Sequence, residues 1–453
     1  MRSYGLERYH RPGSPAEAVR LVAGGALPLG GGTRLLASGR EIPEVVDLSA
    51  LGWSSIRSDA GLVLGAMVRL QDVVDSAEAS RHSAGLLPQA CRAHSASPLL
   101  RSMASLGGEA VFGAHDSPVW TALLALDARA RLVGPAGTRE CELTALGDRQ
   151  PGELVEAVVI ATVPRGAAME AVAVLPSAPP IAIAAACLSL EGERCSRVRV
   201  AVAGLAGPPG RARGVEAALE GRPGNPEALR ASAAAAAEGL ELLEDAHAPA
   251  AYRRRVLPVL TARALAGALA RARTHSGTEP GSRWVPASTP SPPGSRLGES
   301  GSLRLVLNGA GAELPVRAGT TLLAALRDAG ASGVKHGCET GECGACAVLV
   351  DGRPVASCLT LAASVEGRRL ITVEGLGGPD ALHPVQRAFV ESGAIQCGFC
   401  SPAMELCAAA LLEARPSPAE AEIRDALAGC LCRCTGYVKP VAAVRSAAGA
   451  REP

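Results

Sequence analysis

Gly337-Cys338-Glu339-Thr340-Gly341-Glu342-Cys343-Gly344-Ala345-Cys346 sets three cysteines in the order Cys-x4-Cys-x2-Cys, and Cys358 follows after eleven more residues. This is the plant-type ligand spacing for one 2Fe-2S cluster. Thiolates are soft ligands of the kind that iron–sulfur clusters use. The glycines Gly337, Gly341 and Gly344 let the loop take positive φ values and turn backbone N–H groups towards the cluster sulfides. We therefore expect a cluster-binding loop whose ligands are Cys338, Cys343, Cys346 and Cys358.

A second group of cysteines follows about forty residues later along the same C-terminal region. It combines a Cys-x2-Cys pair, Cys397-Gly398-Phe399-Cys400, with a Cys-x-Cys pair, Cys432-Arg433-Cys434. Each pair lies next to a predicted helix, and together the pairs supply four more thiol ligands. Cys430 complicates the assignment, because the alternation of Cys430, Cys432 and Cys434 offers three thiols for two ligand positions.

Two other uses of cysteine are weighed against iron–sulfur clusters. Disulfides are typical of secreted chains, but residues 1–21 contain no apolar core of the length a signal peptide needs. Zinc is the better competitor because four-cysteine sites with short spacings suit it, although the wide Cys-x4-Cys loop fits a zinc knuckle poorly. The cysteines outside the two groups have no ligand spacing and read as small buried hydrophobes. These are Cys91, Cys141, Cys187, Cys195 and Cys407.

On these motifs, residues 303–445 resemble the small iron–sulfur subunit of the molybdenum hydroxylases, the family of xanthine dehydrogenase and carbon monoxide dehydrogenase. The matching stretches are 337–346, Gln396-Cys397-Gly398-Phe399-Cys400-Ser401-Pro402-Ala403-Met404 and Cys432-Arg433-Cys434-Thr435-Gly436-Tyr437. The resemblance implies that the first cluster lies in a β-grasp ferredoxin domain and faces a flavin. It also implies a second cluster in a small helical bundle, facing a molybdopterin cofactor held by another subunit. The second ligand set implied by the resemblance is Cys397, Cys400, Cys432 and Cys434.

Length and composition limit what the rest of the chain can be. The 453 residues carry a formal net charge of +1, and 48% of them are hydrophobic. This length predicts about three domains, and the charge gives no reason to expect nucleic acid or an acidic membrane surface. Aromatic residues make up 2% of the chain, which leaves few platforms for stacking nucleic-acid bases. No apolar run is long enough to cross a membrane, and we expect a cytoplasmic protein.

Two glycine-rich stretches stand out in the N-terminal region. After a helix predicted from the Ser14 N-cap to Ala23, the strand Leu27-Pro28-Leu29 runs into Gly30-Gly31-Gly32-Thr33. The second stretch, Ser105-Leu106-Gly107-Gly108, is read as another glycine turn. Two such turns in one α/β segment would let backbone N–H groups approach both ends of a pyrophosphate, although neither matches the Rossmann pattern. Taken singly, each is also compatible with an ordinary tight turn.

Residues 1–165 resemble the flavin-binding part of the medium subunit of the same family, and residues 170–273 resemble its C-terminal domain. The resemblance rests on the two glycine stretches and on Ala122-Leu123-Leu124-Ala125-Leu126-Asp127-Ala128, which matches the helix behind the flavin. Three features depart from the family pattern: Glu109 in place of Asn, Arg34 in place of Asp, and Ser177-Ala178-Pro179-Pro180 where Lys and Arg are expected. A carboxylate at Glu109 would repel a diphosphate unless it were protonated or turned away. The FAD-binding residues implied by the resemblance are Leu29, Gly30, Gly31, Gly32, Thr33, Arg34, Leu35, Ser105, Gly107, Gly108 and Asp116.

The sequence as a whole predicts a multidomain α+β chain. A non-Rossmann α/β FAD-binding domain of two subdomains spans 1–165, and an α+β flavoprotein C-terminal domain spans 170–273. A Pro/Ser/Gly-rich linker at 274–301 is followed by the β-grasp ferredoxin domain at 302–376 and the four-helix 2Fe-2S domain at 377–450. Within the β-grasp, Asn308-Gly309 predicts the turn of a hairpin.

The function implied is that of an electron-transfer subunit in a molybdenum hydroxylase. It contributes no catalytic residue of its own and works as an oxidoreductase with a large molybdopterin-binding partner. Electrons would pass from that partner through two 2Fe-2S clusters to FAD and then to an external acceptor, which is NAD, oxygen, a quinone or another protein. Two alternatives stay open: an iron–sulfur carrier whose flavin-like domain has lost FAD and serves for docking, and a zinc-binding scaffold.

Overall fold

The structure is a computed structural model, and it describes residues 4–58, 61–175, 178–274, 285, 296–298, 301–378 and 380–449. Its strands are β1 Arg8–His10, β2 Leu27–Leu29, β3 Glu44–Asp47, β4 Ile56–Ser58, β5 Leu62–Gly65, β6 Arg129–Gly134, β7 Gly137–Glu142, β8 Leu154–Ile160, β9 Gly166–Val172, β10 Ala182–Glu191, β11 Arg194–Ala203, β12 Gly210–Arg211, β13 Arg296–Leu297, β14 Gly301–Leu307, β15 Ala310–Val316, β16 Ala347–Val350, β17 Arg353–Ala356 and β18 Arg369–Ile371. Its α-helices are α1 Pro15–Ala23, α2 Leu70–Val74, α3 Ala77–His82, α4 Leu86–His94, α5 Pro98–Met103, α6 Leu106–Phe112, α7 Pro118–Ala125, α8 Arg213–Leu219, α9 Pro226–Ala233, α10 Ala250–Thr274, α11 Leu322–Asp328, α12 Pro384–Glu391, α13 Ser401–Ala414, α14 Glu420–Leu427 and α15 Val438–Gly449.

The N-terminal region forms two sheets, as expected of two subdomains. In the first, β1, β3 and β2 are parallel neighbours, and β13 pairs antiparallel with β1. The Ser14 side chain accepts a hydrogen bond from the Glu17 N–H at the start of α1, so the predicted N-cap is confirmed. The second sheet has the antiparallel order β4-β5-β8-β6-β7, and helices α2, α3, α4, α6 and α7 contribute buried side chains to its core.

The second glycine stretch differs from the turn that its sequence predicts. Ser105 is the N-cap of α6, and its side chain accepts a hydrogen bond from the Gly108 N–H, so both glycines lie in the first turn of a helix. Glycine is needed at position 107 of this helix because there is no room for a side chain. A Cβ on Gly107 would lie 2.6 Å from the Cβ of Ala66.

The third sheet, in the order β12-β11-β10-β9, is antiparallel throughout and belongs to the segment that resembles the flavoprotein C-terminal domain. The 25-residue helix α10 packs along β9 and β10, and its buried Leu and Ala side chains form one core with both strands. Arg253 on this helix is 1% exposed and donates hydrogen bonds to backbone carbonyls and to Asp245. Arg253 therefore holds residues 243–248, which precede α10, against this helix.

The fourth sheet has the order β15-β14-β18-β16-β17, in which β14 and β18 are parallel and the remaining pairs antiparallel. With α11 crossing it, this is the predicted β-grasp. The predicted hairpin turn is confirmed: Asn308 and Gly309 have φ values of 51° and 85°. Asp351 and Gly352 turn the second hairpin in the same way, with φ values of 50° and 80°.

The C-terminal region is the predicted four-helix bundle, made of α12 to α15. Its core is mainly Ala, Leu and Val, together with buried Cys400, Cys407 and Cys430. Residues of β16 and Leu99 of α5 belong to the same core, so the bundle packs on the β-grasp and on the N-terminal region.

The interpretation of 274–301 as a linker falls mostly outside the described residues, since only 274, 285, 296–298 and 301 of that range are described. At its end, β13 adds a strand to the first sheet through Tyr9 and His10. One hydrophobic cluster also contains buried residues of the first sheet, such as Tyr9 and Leu29, and of the β-grasp, such as Leu303 and Val348. Among the described helices, none is both long and apolar enough to cross a membrane.

Candidate functional site

The four thiols of the first quartet lie in contact with one another at the tip of the β-grasp. The Cys338 thiol interacts with the thiols of Cys343 and Cys358, and the Cys346 thiol interacts with that of Cys358. These thiol–thiol contacts lower the pKa of Cys338 and Cys346 and raise the pKa of Cys343 and Cys358. The loop predicted from sequence therefore assembles one four-thiol site.

The loop around the first quartet has the shape of a cradle. The backbone N–H groups of Thr340 and Cys343 both point at the Cys338 sulfur, at 3.4 Å. A Cβ on Gly337 would lie 2.7 Å from the Cys343 sulfur, and Gly341 has a φ of 91°. Soft thiols, inward-facing amides and glycines without side chains fit a 2Fe-2S cluster.

The second quartet assembles at one end of the helical bundle. The thiol of Cys400 interacts with that of Cys432, and the thiol of Cys397 with that of Cys434. Burial followed by the Cys432 contact raises the pKa of Cys400 to about 12. Burial also acts to raise the pKa of Cys432, but hydrogen bonds led by the one from Thr435 lower it to about 7. Cys397 and Cys434 are exposed, whereas Cys400 is buried, so one side of this donor set faces outwards.

Cys430 contacts a cysteine outside the two quartets. Its sulfur is 3.8 Å from the sulfur of Cys407 on α13, and both residues are 0% exposed. This contact, with burial, raises the pKa of Cys430. The ambiguity among Cys430, Cys432 and Cys434 thus has a geometric answer that favours the last two as members of the quartet.

The two cysteine loops touch each other directly. The Leu431 N–H donates a 2.9 Å hydrogen bond to the Cys343 carbonyl. Gly344 has a φ of 67°, and a Cβ at that position would clash with the Gly429 carbonyl. One backbone hydrogen bond therefore joins a residue next to Cys432 with a residue of the first quartet.

The two glycine stretches of the N-terminal region also meet, although they are about 75 residues apart. A Cβ on Gly31 would clash with the Met103 carbonyl, and one on Gly30 would clash with the Ser105 hydroxyl. Both stretches line a cavity of about 240 Å³. Of the predicted FAD-binding residues, it is lined by Gly30, Gly31, Gly32, Thr33, Arg34, Leu35, Ser105, Gly107 and Gly108. Backbone amides and glycines facing a cavity fit the diphosphate part of a dinucleotide.

The other two predicted residues lie beside this cavity rather than in its wall. Leu29 lines a neighbouring cavity of about 140 Å³ between the N-terminal region and the β-grasp. Asp116 lines a third cavity of about 120 Å³, with Arg34 and His94. Ser177, one of the departures from the family pattern, lies outside the described residues.

The other two departures, Arg34 and Glu109, face each other in the main cavity. The guanidinium Nε and a terminal nitrogen lie 3.4 Å from the two carboxylate oxygens. His94 Nε2 is 3.5 Å from the same carboxylate, and burial lowers the pKa of this histidine. His94 was not predicted, because nothing in the local sequence indicates that α4 brings it beside α6.

The cavity borders the first cysteine quartet. A Cβ on Gly32 would lie 3.2 Å from the Leu359 carbonyl, next to Cys358. The Tyr4 hydroxyl donates a 3.4 Å hydrogen bond to the Cys358 carbonyl. The cavity therefore lies beside Leu359, the neighbour of Cys358, and the two quartets are joined by the bond from Leu431 to Cys343.

Within the described residues, no group of three or more His, Cys, Asp and Glu side chains is arranged around one point as a single metal ion requires.

Four family models match the chain in an order that agrees with this geometry. An FAD binding domain in molybdopterin dehydrogenase matches residues 3–163, and a CO dehydrogenase flavoprotein C-terminal domain matches residues 177–268. A 2Fe-2S iron-sulfur cluster binding domain matches residues 305–372, and a second [2Fe-2S] binding domain matches residues 372–445. The chain thus combines flavin-binding and iron–sulfur domains on one polypeptide.

Each of the following relatives matches only one part of the chain. The small FeS subunit of nicotinate dehydrogenase from Eubacterium barkeri is 45% identical over 147 residues, which is 32% of this chain and 94% of that protein. The small subunit of nicotine 6-hydroxylase from Paenarthrobacter nicotinovorans is 50% identical over 144 residues, or 32% and 87%. A chain in the structure of reconstituted CO dehydrogenase from Oligotropha carboxidovorans is 29% identical with a TM-score of 0.56, covering 60% of this chain and all of that one.

Family models, relatives and site geometry lead to one assignment: the chain belongs to the molybdenum hydroxylase family of xanthine and carbon monoxide dehydrogenases, as an electron-transfer subunit with fused FAD-binding and 2Fe-2S domains.

Proposed function

We propose that electrons enter this chain at the Cys397 site, move to the Cys338 site and leave through the flavin cavity. A 2Fe-2S cluster carries one electron at a time and a flavin carries one or two, so this order converts paired electrons into single ones and back. The observation that carries the proposal is the contact between the two cysteine loops, where the Leu431 N–H bonds to the Cys343 carbonyl at 2.9 Å. A short bonded connection between redox sites favours rapid electron transfer between them.

Eight thiolates would hold the two clusters in this proposal. The first set is supported by mutual thiol contacts and by amides directed at Cys338. The second is supported by the contacts of Cys400 with Cys432 and of Cys397 with Cys434. The proposed ligands are Cys338, Cys343, Cys346, Cys358, Cys397, Cys400, Cys432 and Cys434.

FAD would bind with its diphosphate between the two glycine stretches. The cavity lining supports a position beside the cofactor for residues 30–35, Ser105, Gly107 and Gly108. Leu29 and Asp116 would lie at the margins of the bound cofactor, because each lines an adjoining cavity.

The partner would be a large molybdopterin-binding subunit that oxidises the organic substrate. Its docking surface would be the end of the bundle where Cys397 and Cys434 are exposed. Phe399, Leu431 and Val438 surround this point with 46%, 57% and 72% of their surface exposed, as a hydrophobic contact surface would require. We also propose that the complex works in the cytoplasm, since reducing conditions keep the thiols free to bind iron.

An ultraviolet–visible spectrum combined with iron and flavin analysis tests the cofactor assignment. We expect broad red-brown absorption, about four irons per chain and a releasable yellow flavin. Full reconstitution that stops at about two irons would refute the second cluster. A protein that contains iron but never takes up flavin would favour the carrier whose flavin-like domain serves for docking.

Co-expression with a molybdopterin-binding subunit tests the partner assignment. We expect the two chains to copurify, and Phe399→Asp together with Leu431→Asp to weaken the complex. As a matched control, Val174→Asp changes an exposed apolar residue far from the bundle in sequence and should leave copurification unchanged. If this chain alone oxidised an organic substrate without molybdenum, the proposed division of labour would be wrong.

A further inference from the structure

The flavin cavity contains a buried carboxylate where a diphosphate is proposed to bind. Glu109 is 2% exposed and lines the same wall as Gly107 and Gly108. A negative group enclosed beside a second anion weakens the binding of that anion, and the effect grows as water is excluded. A cavity built for FAD would therefore need a cation for this carboxylate.

Arg34 is placed as that cation. Its guanidinium meets both carboxylate oxygens at 3.4 Å, and it lies 4.9 Å from the ring centre of Phe112. Both contacts are made with α6, so they hold the guanidinium against Glu109. The arginine side chain is 39% exposed and the glutamate 2%, so the pair lies at the mouth of the cavity with its negative end inside.

His94 is the other basic group whose ion-pair distance to Glu109 is described, at 3.5 Å. It adds little positive charge near neutral pH, because burial lowers its pKa from the ordinary value for histidine. Asp116, in the loop before α7, lies near the same histidine and adds a negative group to its surroundings. Compensation of Glu109 thus depends mainly on Arg34.

We propose that Arg34 and Glu109 act as one charge-compensating pair that sets the affinity for FAD, in which Arg34 works by neutralising Glu109 rather than by gripping phosphate. This inference rests on the proposed binding of FAD in this cavity. It makes Arg34 and Glu109 positioning residues for the cofactor and predicts that their effects on binding depend on each other.

A double-mutant cycle on the full-length, flavin-free protein tests the pair, with equilibrium dialysis against FAD as the measurement. We expect Arg34→Ala to raise the Kd by about tenfold, because it leaves a carboxylate uncompensated beside the diphosphate. Glu109→Gln should lower the Kd. In the Glu109→Gln background, Arg34→Ala should change the Kd by less than about threefold, since no charge then needs neutralising.

Arg34→Lys separates charge from geometry and also guards against a poorly folded alanine variant. It keeps the positive charge but loses the planar fork that binds phosphate in two places, so we expect a Kd within about threefold of wild type. The matched control is Arg40→Ala, which removes an exposed arginine from the rim of the same cavity. Its small effect should be equal in both backgrounds, and the EPR spectra of the clusters should stay unchanged in every variant.

Two results would overturn the proposal that Arg34 compensates the charge of Glu109. One is an equal loss from Arg34→Ala with and without Glu109→Gln, which would mean that Arg34 contacts the diphosphate directly. The other is weaker FAD binding in Glu109→Gln, which would mean that the carboxylate itself holds the cofactor. A complete lack of FAD binding in wild type and all variants would instead refute the proposed function of the cavity.

Discussion

At the scale of single residues, Cys430 shows how a motif can offer one thiol too many. Its sulfur contacts Cys407 in a fully buried position, so it has the surroundings of a core side chain. We expect Cys430→Ala to leave the EPR signal of the second cluster intact and to cost about 1–2 kcal/mol of stability for the lost packing. Loss of that signal, with the protein still folded, would show that the ligand register is different.

Cys434→Ala provides the opposite case. Cys434 is an exposed free cysteine whose thiol interacts with that of Cys397. Its removal therefore takes away a proposed ligand without disturbing a core. The EPR signal of the second cluster should disappear while that of the Cys338 cluster persists, because one quartet loses a thiolate and the other does not. Retention of both signals would exclude Cys434 as a ligand.

Glu405 on α13 makes stability depend on pH. Burial raises its pKa to about 7, although a hydrogen bond from Gln386 acts in the opposite direction. A carboxyl whose pKa is higher in the folded state holds its proton longer there, so the stability of the fold decreases as pH rises from about 4.5 to 7. The total decrease is about 3 kcal/mol.

Glu405→Gln should therefore raise the melting temperature at pH 8 and change it little at pH 5. Glu413→Gln is the control, because Glu413 lies on the same helix and is exposed. Equal effects of Glu405→Gln at the two pH values would argue against a buried, protonated carboxyl.

At the scale of elements, helix α5 connects the N-terminal region to the helical bundle. Arg101 on this helix is 1% exposed, and it donates to the side chains of Gln71 and Asp425 and to two backbone carbonyls. Arg101→Met should cost about 3 kcal/mol, because it leaves one buried and several partly buried acceptors without their donor. Thermal unfolding and limited proteolysis would measure the loss.

Arg424→Met is the matched control for Arg101→Met. Arg424 is next to Asp425 on α14, but its side chain is 60% exposed and pairs with Glu420 one turn away. Such a pair contributes about 0.5 kcal/mol or less. Similar losses from the two substitutions would mean that the α5 contact does not stabilise the assembly of domains.

Local sequence predicted those elements whose cause is local. The Asn308-Gly309 hairpin follows from two residues that accept positive φ, and α1 follows from the cap at Ser14. The turn predicted at Ser105-Leu106-Gly107-Gly108 is wrong: glycine generally disfavours helices, but close packing against Ala66 requires a glycine inside α6. The low helix propensity of glycine holds in general, but here a contact between distant segments overrides it.

In the candidate sites too, local features were predicted from sequence and long-range contacts were not. Spacing predicted the first cysteine quartet, because its ligands are grouped along the sequence. For the second quartet, spacing left Cys430, Cys432 and Cys434 for two positions, and the choice came from the family resemblance. Nothing local predicted that Arg34 meets Glu109, that His94 joins them or that Leu431 bonds to Cys343. Each of these contacts joins segments between 15 and about 90 residues apart, and their positions depend on how whole domains pack.

At the scale of the whole molecule, the two halves are joined by much more than the chain between them. Strand β13 pairs with β1, and one hydrophobic cluster spans the first sheet and the β-grasp. Two buried arginines cross the boundary: Arg101 to Asp425 at 2.9 Å, and Arg353 to Asp72 at 2.6 Å. The halves should therefore stay together when the covalent connection is removed.

A protease recognition site inserted between Pro290 and Pro292 tests this expectation, because cleavage there leaves β13 on the C-terminal fragment. We expect both fragments to elute together at the size of the uncut 45.8 kDa protein, with the flavin and cluster spectra unchanged. Adding Arg353→Ala and Arg101→Ala to the cut protein should promote separation, since each removes a buried arginine from an ion pair across the boundary. If the cut wild-type fragments separated without these substitutions, the covalent connection rather than the interface would hold the electron-transfer sites next to one another.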